Sequence, residues 1–261
     1  MDSYKQKERS HYNSRYEDIV DDTNNLEFET ADIISENAIT HFFNIVKEVQ
    51  SLKGKGRILD YGCGTGDKSI KILEEGWEIN GIDISEKSIA VANKKYSRKS
   101  NISFDVMDCE NTIFPDNTFD IVFDFGTFSS INIENAFHEI LRIMKPDGVL
   151  ICIETLGHNP IFNFKRKMNV WAGKRTGWAA QHIMRMEDWL YIESKFVDTT
   201  IKYFTFVSIS FYPIIKILPK TLSNRLLTIL WKLDDRILES NIFKKYAFKT
   251  VVCCCNKKGN E

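Results

Sequence analysis

Between residues 57 and 154, short apolar runs alternate with stretches in which apolar residues recur every three or four positions. Runs of β-branched and aromatic residues predict strands, and the 3.6-residue period predicts amphipathic helices. Strands are expected over Arg57–Tyr61, Glu78–Asp83, Ile102–Met107, Phe119–Phe125 and Val149–Glu154, with helices over Asp67–Glu75, Glu86–Tyr96 and Ile133–Met144. Ser85 suits the N-cap of the second helix; Ser88 stands where a capping-box Glu would sit, so the box itself is absent. Lys145-Pro146-Asp147-Gly148 predicts a turn between a helix and a strand. Strands alternating with helices are βαβ units, which gives a doubly wound, mostly parallel α/β sheet with helices on both faces.

The flanks follow other rhythms. Glu29–Leu52 places Ile33, Ile34, Ala38, Phe42, Phe43, Val46 and Val49 at helical spacing. Residues 155–186 read as irregular and hold no acidic residue. Beyond them a helix is expected over Met186–Phe196, a strand over Asp198–Ile209, a helix over Pro219–Leu238 and a last strand over Ala247–Asn256. The chain thus divides, within one domain, into an N-terminal helical segment (1–54), the α/β core (55–155), an inserted helical or irregular cap (156–197) and C-terminal strands carrying a helical excursion (198–261). The aromatic and Leu-rich content of the excursion, Ser208–Tyr246, admits packed structure, a lid, a homodimer face or peripheral membrane contact.

Composition narrows the function classes. With 35 Lys and Arg against 36 Asp and Glu, the net charge is -1, which gives no whole-molecule case for nucleic acid. The most apolar stretch, Tyr203–Leu218, is interrupted by Ser208, Ser210, Pro213 and Lys216, so no spanning helix is expected. The charged N-terminus lacks the apolar core of a secretory signal, and a cytoplasmic location is expected. The six cysteines form no C-x-x-C pair, and neighbours in the run Cys253–Cys255 point to opposite faces of a strand. Reduced thiols and no metal site are therefore expected.

Leu59-Asp60-Tyr61-Gly62-Cys63-Gly64-Thr65-Gly66 follows a strand and opens a helical segment. Glycines there let the backbone turn tightly and approach a ligand. The spacing is G-x-G-x-G, not the G-x-x-G ending of dinucleotide sites. Asp60 and Asp67 flank the loop, and carboxylates beside a helix N-terminus repel a pyrophosphate. S-adenosylmethionine has no phosphate and carries an ammonium and a sulfonium, which carboxylates welcome. Asp83 ends the second strand, where an acid can hydrogen-bond ribose hydroxyls. Taken singly, such an Asp is as often an N-cap or a turn residue, which is the plainer reading of Asp67.

With Val106-Met107-Asp108-Cys109, Phe119-Asp120-Ile121-Val122 and Met144-Lys145-Pro146-Asp147-Gly148, residues 57–154 resemble the class I S-adenosylmethionine-dependent methyltransferases of the small "methyltransferase type 11" group. The resemblance implies a Rossmann-like core whose last strand runs antiparallel. It implies Asp60 and Gly62 at the amino-acid end of the cofactor, Asp83 at the ribose, and Ile84 and Asp108 at the adenine. Cys63, Gly64, Cys109 and Phe125 complete the expected cofactor site, with Tyr12 and Tyr16 on an N-terminal segment closing over it. Phe125-Gly126-Thr127-Phe128-Ser129-Ser130 lacks the His common after the fourth strand, so that residue's acid-base role does not carry over.

The unbalanced cations of 155–186, Arg166 and Arg175 among them, are either a solvated face or a site for an anionic acceptor. His158 and His182 are the histidines nearest the expected acceptor pocket; each is a candidate base, a hydrogen-bonding group or a turn cap. Glu154–Pro160, Arg175 and Gln181-His182 further resemble methyltransferases of bacterial surface-glycan and secondary-metabolite clusters. The expected reaction is methyl transfer to an oxygen of a small molecule or sugar, anionic or carrier-linked. The alternatives are N-methylation of an amino sugar or amine, and a catalytically silent cofactor-binding protein.

Overall fold

The computed structural model describes residues 2–16 and 33–258. Seven strands form one sheet in the order β3-β2-β1-β4-β5-β7-β6: β1 Gly56–Tyr61, β2 Trp77–Asp83, β3 Ile102–Val106, β4 Phe119–Asp124, β5 Met144–Thr155, β6 Phe196–Phe204 and β7 Lys249–Lys257. The first five pair in parallel, and β7 runs antiparallel between β5 and β6. This is the doubly wound, mostly parallel sheet that the sequence predicts. The order reverses at β1–β4, so the strand ends diverge there and leave a crevice.

Alternation along the strands fills both faces. Leu59, Tyr61, Val122, Leu150 and Cys152 pack with Phe137 and Ile140 of α4 (Ile133–Ile143) and Trp189 of α7 (Met186–Ser194). Ile58, Ile121, Phe123, Ile151 and Ile153 face Ala38, Phe42 and Val46 of α2 (Glu36–Lys53). α3 (Glu86–Tyr96) closes the β2–β3 side by setting Ile89 and Ala92 against Phe104 and Cys63. Its N-cap is Ser85, whose hydroxyl accepts from the Ser88 amide.

Several elements differ from the sequence reading. The helix expected over Asp67–Glu75 shrinks to one 3-10 turn, Ser69–Ile72. The amide nitrogen of the buried Gln50 side chain donates to the Ile72 carbonyl at 2.8 Å, taking the acceptor that a longer helix needs. The turn at Lys145–Gly148 is a tight irregularity within β5: Met144 pairs with Phe119, and the register shifts before Ile121. A Cβ on Gly148 would sit 2.4 Å from Met144 Cγ. The strand expected to reach Ile209 stops at Phe204, because Thr205 takes φ 64° and the amides of Val207 and Ser208 turn to the buried Asp234 carboxylate. The helix expected from Glu29 is described from Glu36; residues 29–32 lie outside the described residues.

The segment 155–186 is more regular than its composition suggests. It holds α5 (Pro160–Trp171) and α6 (Gly177–Gln181). α5 buries Phe162 and Arg166, four residues apart, so an arginine occupies an inward position where the pattern looks for an apolar side chain. Ahead of the core, α1 (Ser3–Arg15) is polar throughout and has one buried residue, Glu8. In the C-terminal excursion, α8 (Tyr212–Ile217) and α9 (Lys220–Leu238) pack around Ile34, Ile215, Leu227 and Leu230. No helix among the described residues is long and apolar enough to cross a membrane.

Candidate active site

A cavity of about 180 Å³ lies at the C-terminal ends of β1, β2, β3 and β4. Its floor is backbone. Gly62 and Gly64 have φ of 79° and 53°, and the amides of Gly62 and Cys63 both donate to the Ile82 carbonyl. A Cβ on Gly62 would sit 2.1 Å from Thr127 Oγ1, so only glycine fits between the loop and the β4 end. Asp83 fastens this floor: its Oδ2 accepts from the Gly64 amide at 3.0 Å and its Oδ1 from the Ser85 amide at 2.8 Å. Burial pushes the Asp83 carboxyl above its ordinary range against the pull of these amides.

The wall beyond β4 is held by two buried acids. Asp124 and Glu154, from neighbouring strands, are 0 % and 1 % exposed. Burial raises both carboxyls, Asp124 well above the ordinary value, and the two hydrogen-bond to each other. Asp124 keeps the proton and donates it to Glu154, since two bare charges in one buried site repel. Both oxygens of each acid also accept backbone amides, from Gly126 and Thr127 on Asp124 and from Phe128 and Thr155 on Glu154. The loop after β4 is thereby pinned, and Thr127 Oγ1 donates to the Tyr61 carbonyl at 3.0 Å.

The roof is α1, which presents Lys5, Glu8 and Tyr12 to the cavity, followed by Tyr16. Lys5 Nζ lies 2.8 Å from Asp108 and 3.0 Å from Glu110. Arg9 and Asn13 pair with Glu86 at the start of α3. Tyr4 stacks on Trp178 of α6 with ring centroids 3.9 Å apart, and its hydroxyl donates to Glu110. Thr176 donates to Glu8, and Tyr12 Oη lies 3.3 Å from Ser130 Oγ.

Of the residues singled out in the sequence, Tyr12, Tyr16, Gly62, Gly64, Asp83, Ile84, Asp108, Cys109 and Phe125 line the cavity together. Asp60 and Cys63 lie beneath it. Asp60 is 1 % exposed, accepts from Ser69, and is driven up to about 7, by burial first and then by the nearby Asp83 charge. Cys63 packs against Phe104 and Ile89.

The acceptor-side residues are placed differently. His158 Nε2 accepts from the Met186 amide at 3.0 Å and lies 3.7 Å from Glu187, away from the cavity lining. His182 is exposed, stacks on Trp178 at 3.7 Å, and its Nδ1 sits 2.9 Å from the Trp178 carbonyl. Arg166 is buried on the Leu156 carbonyl and Asn163. Arg175 reaches Ser129 Oγ and the Ala179 carbonyl at the cavity rim. Lys165, Lys167, Lys174 and Arg185 are exposed, as a solvated face would have them.

The lining residues that sequence reasoning missed are Lys5, Glu8, Ser88, Glu110, Gly126, Thr127, Ser130 and Ile131. Thr127 and Ser130 were within reach, since they sit in the loop already noted after the fourth strand. Lys5 and Glu8 carry no signal in a helix without an apolar stripe.

Residues 58–148 match the model of a methyltransferase domain. The chain carries a class I S-adenosylmethionine-dependent methyltransferase domain. It is 37% identical over 106 residues to a putative methyltransferase, YqeM, of Bacillus subtilis, the match covering 39% of this chain and 43% of that protein. It is 35% identical over 112 residues to a demethylmenaquinone methyltransferase of Bacillus licheniformis, covering 41% of this chain and 48% of that protein. The chain thus spans less than half the length of these relatives. The fold is that of the geranyl diphosphate C-methyltransferase of Streptomyces coelicolor, at TM-score 0.60, 13% identity, and 97% and 98% coverage of the two chains. It is also that of phosphoethanolamine N-methyltransferase 2 of Haemonchus contortus, at TM-score 0.55, 20% identity, and 93% and 60% coverage.

The residues present fit the family's cofactor. The loop glycines leave open backbone where any Cβ at Gly62 would collide with the β4 end. Among the described residues the lining supplies the carboxylates Asp83, Asp108 and Glu110 against the ammonium of Lys5, which suits a cationic ligand and repels a pyrophosphate.

Proposed function

We propose that this chain binds S-adenosylmethionine in the cavity and transfers its methyl group to an oxygen of a small polar acceptor. The acid-lined glycine floor carries the proposal. Gly62 and Gly64 would meet the amino-acid end, Asp83 the ribose, and Ile84, Asp108 and Cys109 the adenine, with α1 closing over them. The bound cofactor supplies a methyl group on a positively charged sulfur, which is electrophilic. The chain's own part is to position the acceptor in line and to keep water out, and well-oriented neighbours account for much of such a barrier. The pinned β4 loop and the roof of α1 are suited to both tasks.

The acceptor side argues against a strongly anionic partner, because Arg166 is consumed internally and Arg175 faces the rim. The same acid-rich wall favours a second reading, transfer to an amine, which would approach as a cation. Of the proteins named above, one is called a C-methyltransferase and another an N-methyltransferase, so no acceptor is adopted from them. The six free thiols are in keeping with a reducing, cytoplasmic setting.

Calorimetry with S-adenosylmethionine, S-adenosylhomocysteine and NAD tests the cofactor. The first two should bind and NAD should not displace them; competition by NAD would overturn the assignment. Transfer of labelled methyl from S-adenosylmethionine to panels of small alcohols, sugars and amines then separates the two acceptor readings. Cofactor binding without transfer to any member would leave a silent cofactor-binding protein as the better account.

A further inference from the structure

Glu8 stands apart from the other acids of the cavity. It is 3 % exposed and is the one buried residue of α1. One carboxylate oxygen, Oε1, accepts from the Thr176 hydroxyl. The other, Oε2, is buried and makes no hydrogen bond of good geometry among the described residues, although the Ser130 hydroxyl and the Ala179 amide also face the carboxylate. Leaving such an oxygen bare costs about 1 to 3 kcal/mol or more for a charged group, so a fold that keeps one has a use for it. Glu8 also lines the cavity together with Ser130 and Thr127, and its carboxylate faces the Ser130 hydroxyl after β4.

We propose that Glu8 is the docking point for the acceptor: its free oxygen receives the O–H or N–H of the group to be methylated and takes that proton as the methyl group arrives. This rests on the methyl-transfer reading above. In the step, a bond forms between the acceptor oxygen or nitrogen and the methyl carbon as the carbon–sulfur bond breaks. Sulfur keeps that bonding pair and becomes a neutral thioether; the acceptor's proton passes to Glu8 and then to water. Among the described residues, the other charged groups and the histidines considered for the task are engaged elsewhere. Lys5 is occupied by Asp108 and Glu110, Asp83 by two amides, and both candidate histidines lie outside the lining. Burial also drives the Glu8 carboxyl above its ordinary range, against the Thr176 and Ser130 hydroxyls and the charge of Arg175. A carboxylate so perturbed holds a proton better than one in water. Thr176 holds the carboxylate by its other oxygen, Oε1.

The test uses the full chain labelled at the glutamate δ-carboxyl carbon and saturated with S-adenosylhomocysteine. The Glu8 resonance is assigned by its loss in Glu8→Gln. Three probes of similar size are titrated: propane-1,2-diol, ethanolamine, and 1,2-dimethoxyethane, which lacks a donor. A hydroxyl or amine probe should shift the Glu8 resonance and dimethoxyethane should not; which donor works separates oxygen from nitrogen acceptors. Calorimetry should find S-adenosylhomocysteine affinity in Glu8→Gln within about twofold of the parent. The proposal is overturned if neither donor probe moves the resonance, or if dimethoxyethane moves it equally. It is also overturned if Glu8→Gln loses about tenfold or more in S-adenosylhomocysteine affinity, which would put Glu8 on the cofactor. Failure of the parent chain to bind S-adenosylhomocysteine would overturn the methyl-transfer reading itself, a result visible before any probe is added.

Discussion

The floor and the roof of the cavity are built on opposite principles. The floor and the wall beside it are made by backbone: the two loop glycines Gly62 and Gly64, strand ends in parallel register, and amides gathered onto Asp83 and the Asp124–Glu154 pair. Their parts lie close together in the chain or on adjacent strands. The roof is made by side chains brought from far away: Glu8 meets Thr176, Tyr4 meets Trp178, and Lys5 meets Asp108. A floor of this kind serves any member of a family that binds one cofactor, because backbone cannot easily specialise. A roof of side chains is where a chain distinguishes one acceptor from another.

Substituting Gly62 should break the floor most severely. Gly62→Ala puts a Cβ into Thr127 at a φ that non-glycine residues avoid, a strain of about 1 to 3 kcal/mol. S-adenosylhomocysteine affinity by calorimetry should fall by about a hundredfold, the strain adding to the blocked approach. Retention of parental affinity would mean that the loop is not the cofactor floor. Asp83→Asn should cost about ten- to a hundredfold in the same measurement, corresponding to the roughly 1.5 to 3 kcal/mol of hydrogen bonds made by a charged group.

Beneath the floor, Asp60 gives the comparison a pH signature. Its carboxyl is raised from 3.8 to about 7, chiefly by burial, so the folded chain binds that proton more tightly than the unfolded chain does. The stability this confers is complete below about pH 4 and is lost as pH rises through about 7. Urea unfolding between pH 5 and 8 should show falling stability, and Asp60→Asn should flatten the slope over that window. An unchanged slope would reassign it to Glu8, Asp83, Asp124 or Glu154, whose carboxyls are also raised.

The roof should yield smaller effects. Tyr4→Ala removes the stack on Trp178, worth about 0.5 to 1.5 kcal/mol, and should speed S-adenosylhomocysteine dissociation by about two- to tenfold in stopped flow. Smallest of all, His182→Ala should leave turnover with any acceptor found within about threefold, because the ring is exposed on Trp178. His158→Ala should act on thermal stability instead, by about 1 kcal/mol, through the lost bond from the Met186 amide. A hundredfold fall in kcat for either variant would restore histidine as the base.

The same contrast explains what could be read from the chain. Strand positions, the crevice and the glycine loop follow from local pattern, so β1 to β5 and the lining residues Gly62, Gly64, Asp83 and Asp108 were legible. The short turn at Ser69–Ile72 was not, because Gln50 ends it from another helix. α5 was hidden by Arg166, whose guanidinium finds the Leu156 carbonyl only after folding. His158 and His182 are near the acceptor side in sequence order, yet one is used by an amide and the other stacks outside. Glu8 had no local mark at all: its importance comes from Thr176, 168 positions away.

α1 touches both halves of the site at once, binding Glu86, Asp108 and Glu110 on one side and Thr176 and Trp178 on the other. A molecule that favours the seated helix from either side strengthens the contacts that hold its neighbour. If the proposed sites hold, cofactor and acceptor would be thermodynamically linked through one element, and linkage is reciprocal: the factor by which the first tightens the second equals the factor by which the second tightens the first. Unseating α1 for either occupant would then loosen contacts that serve the other.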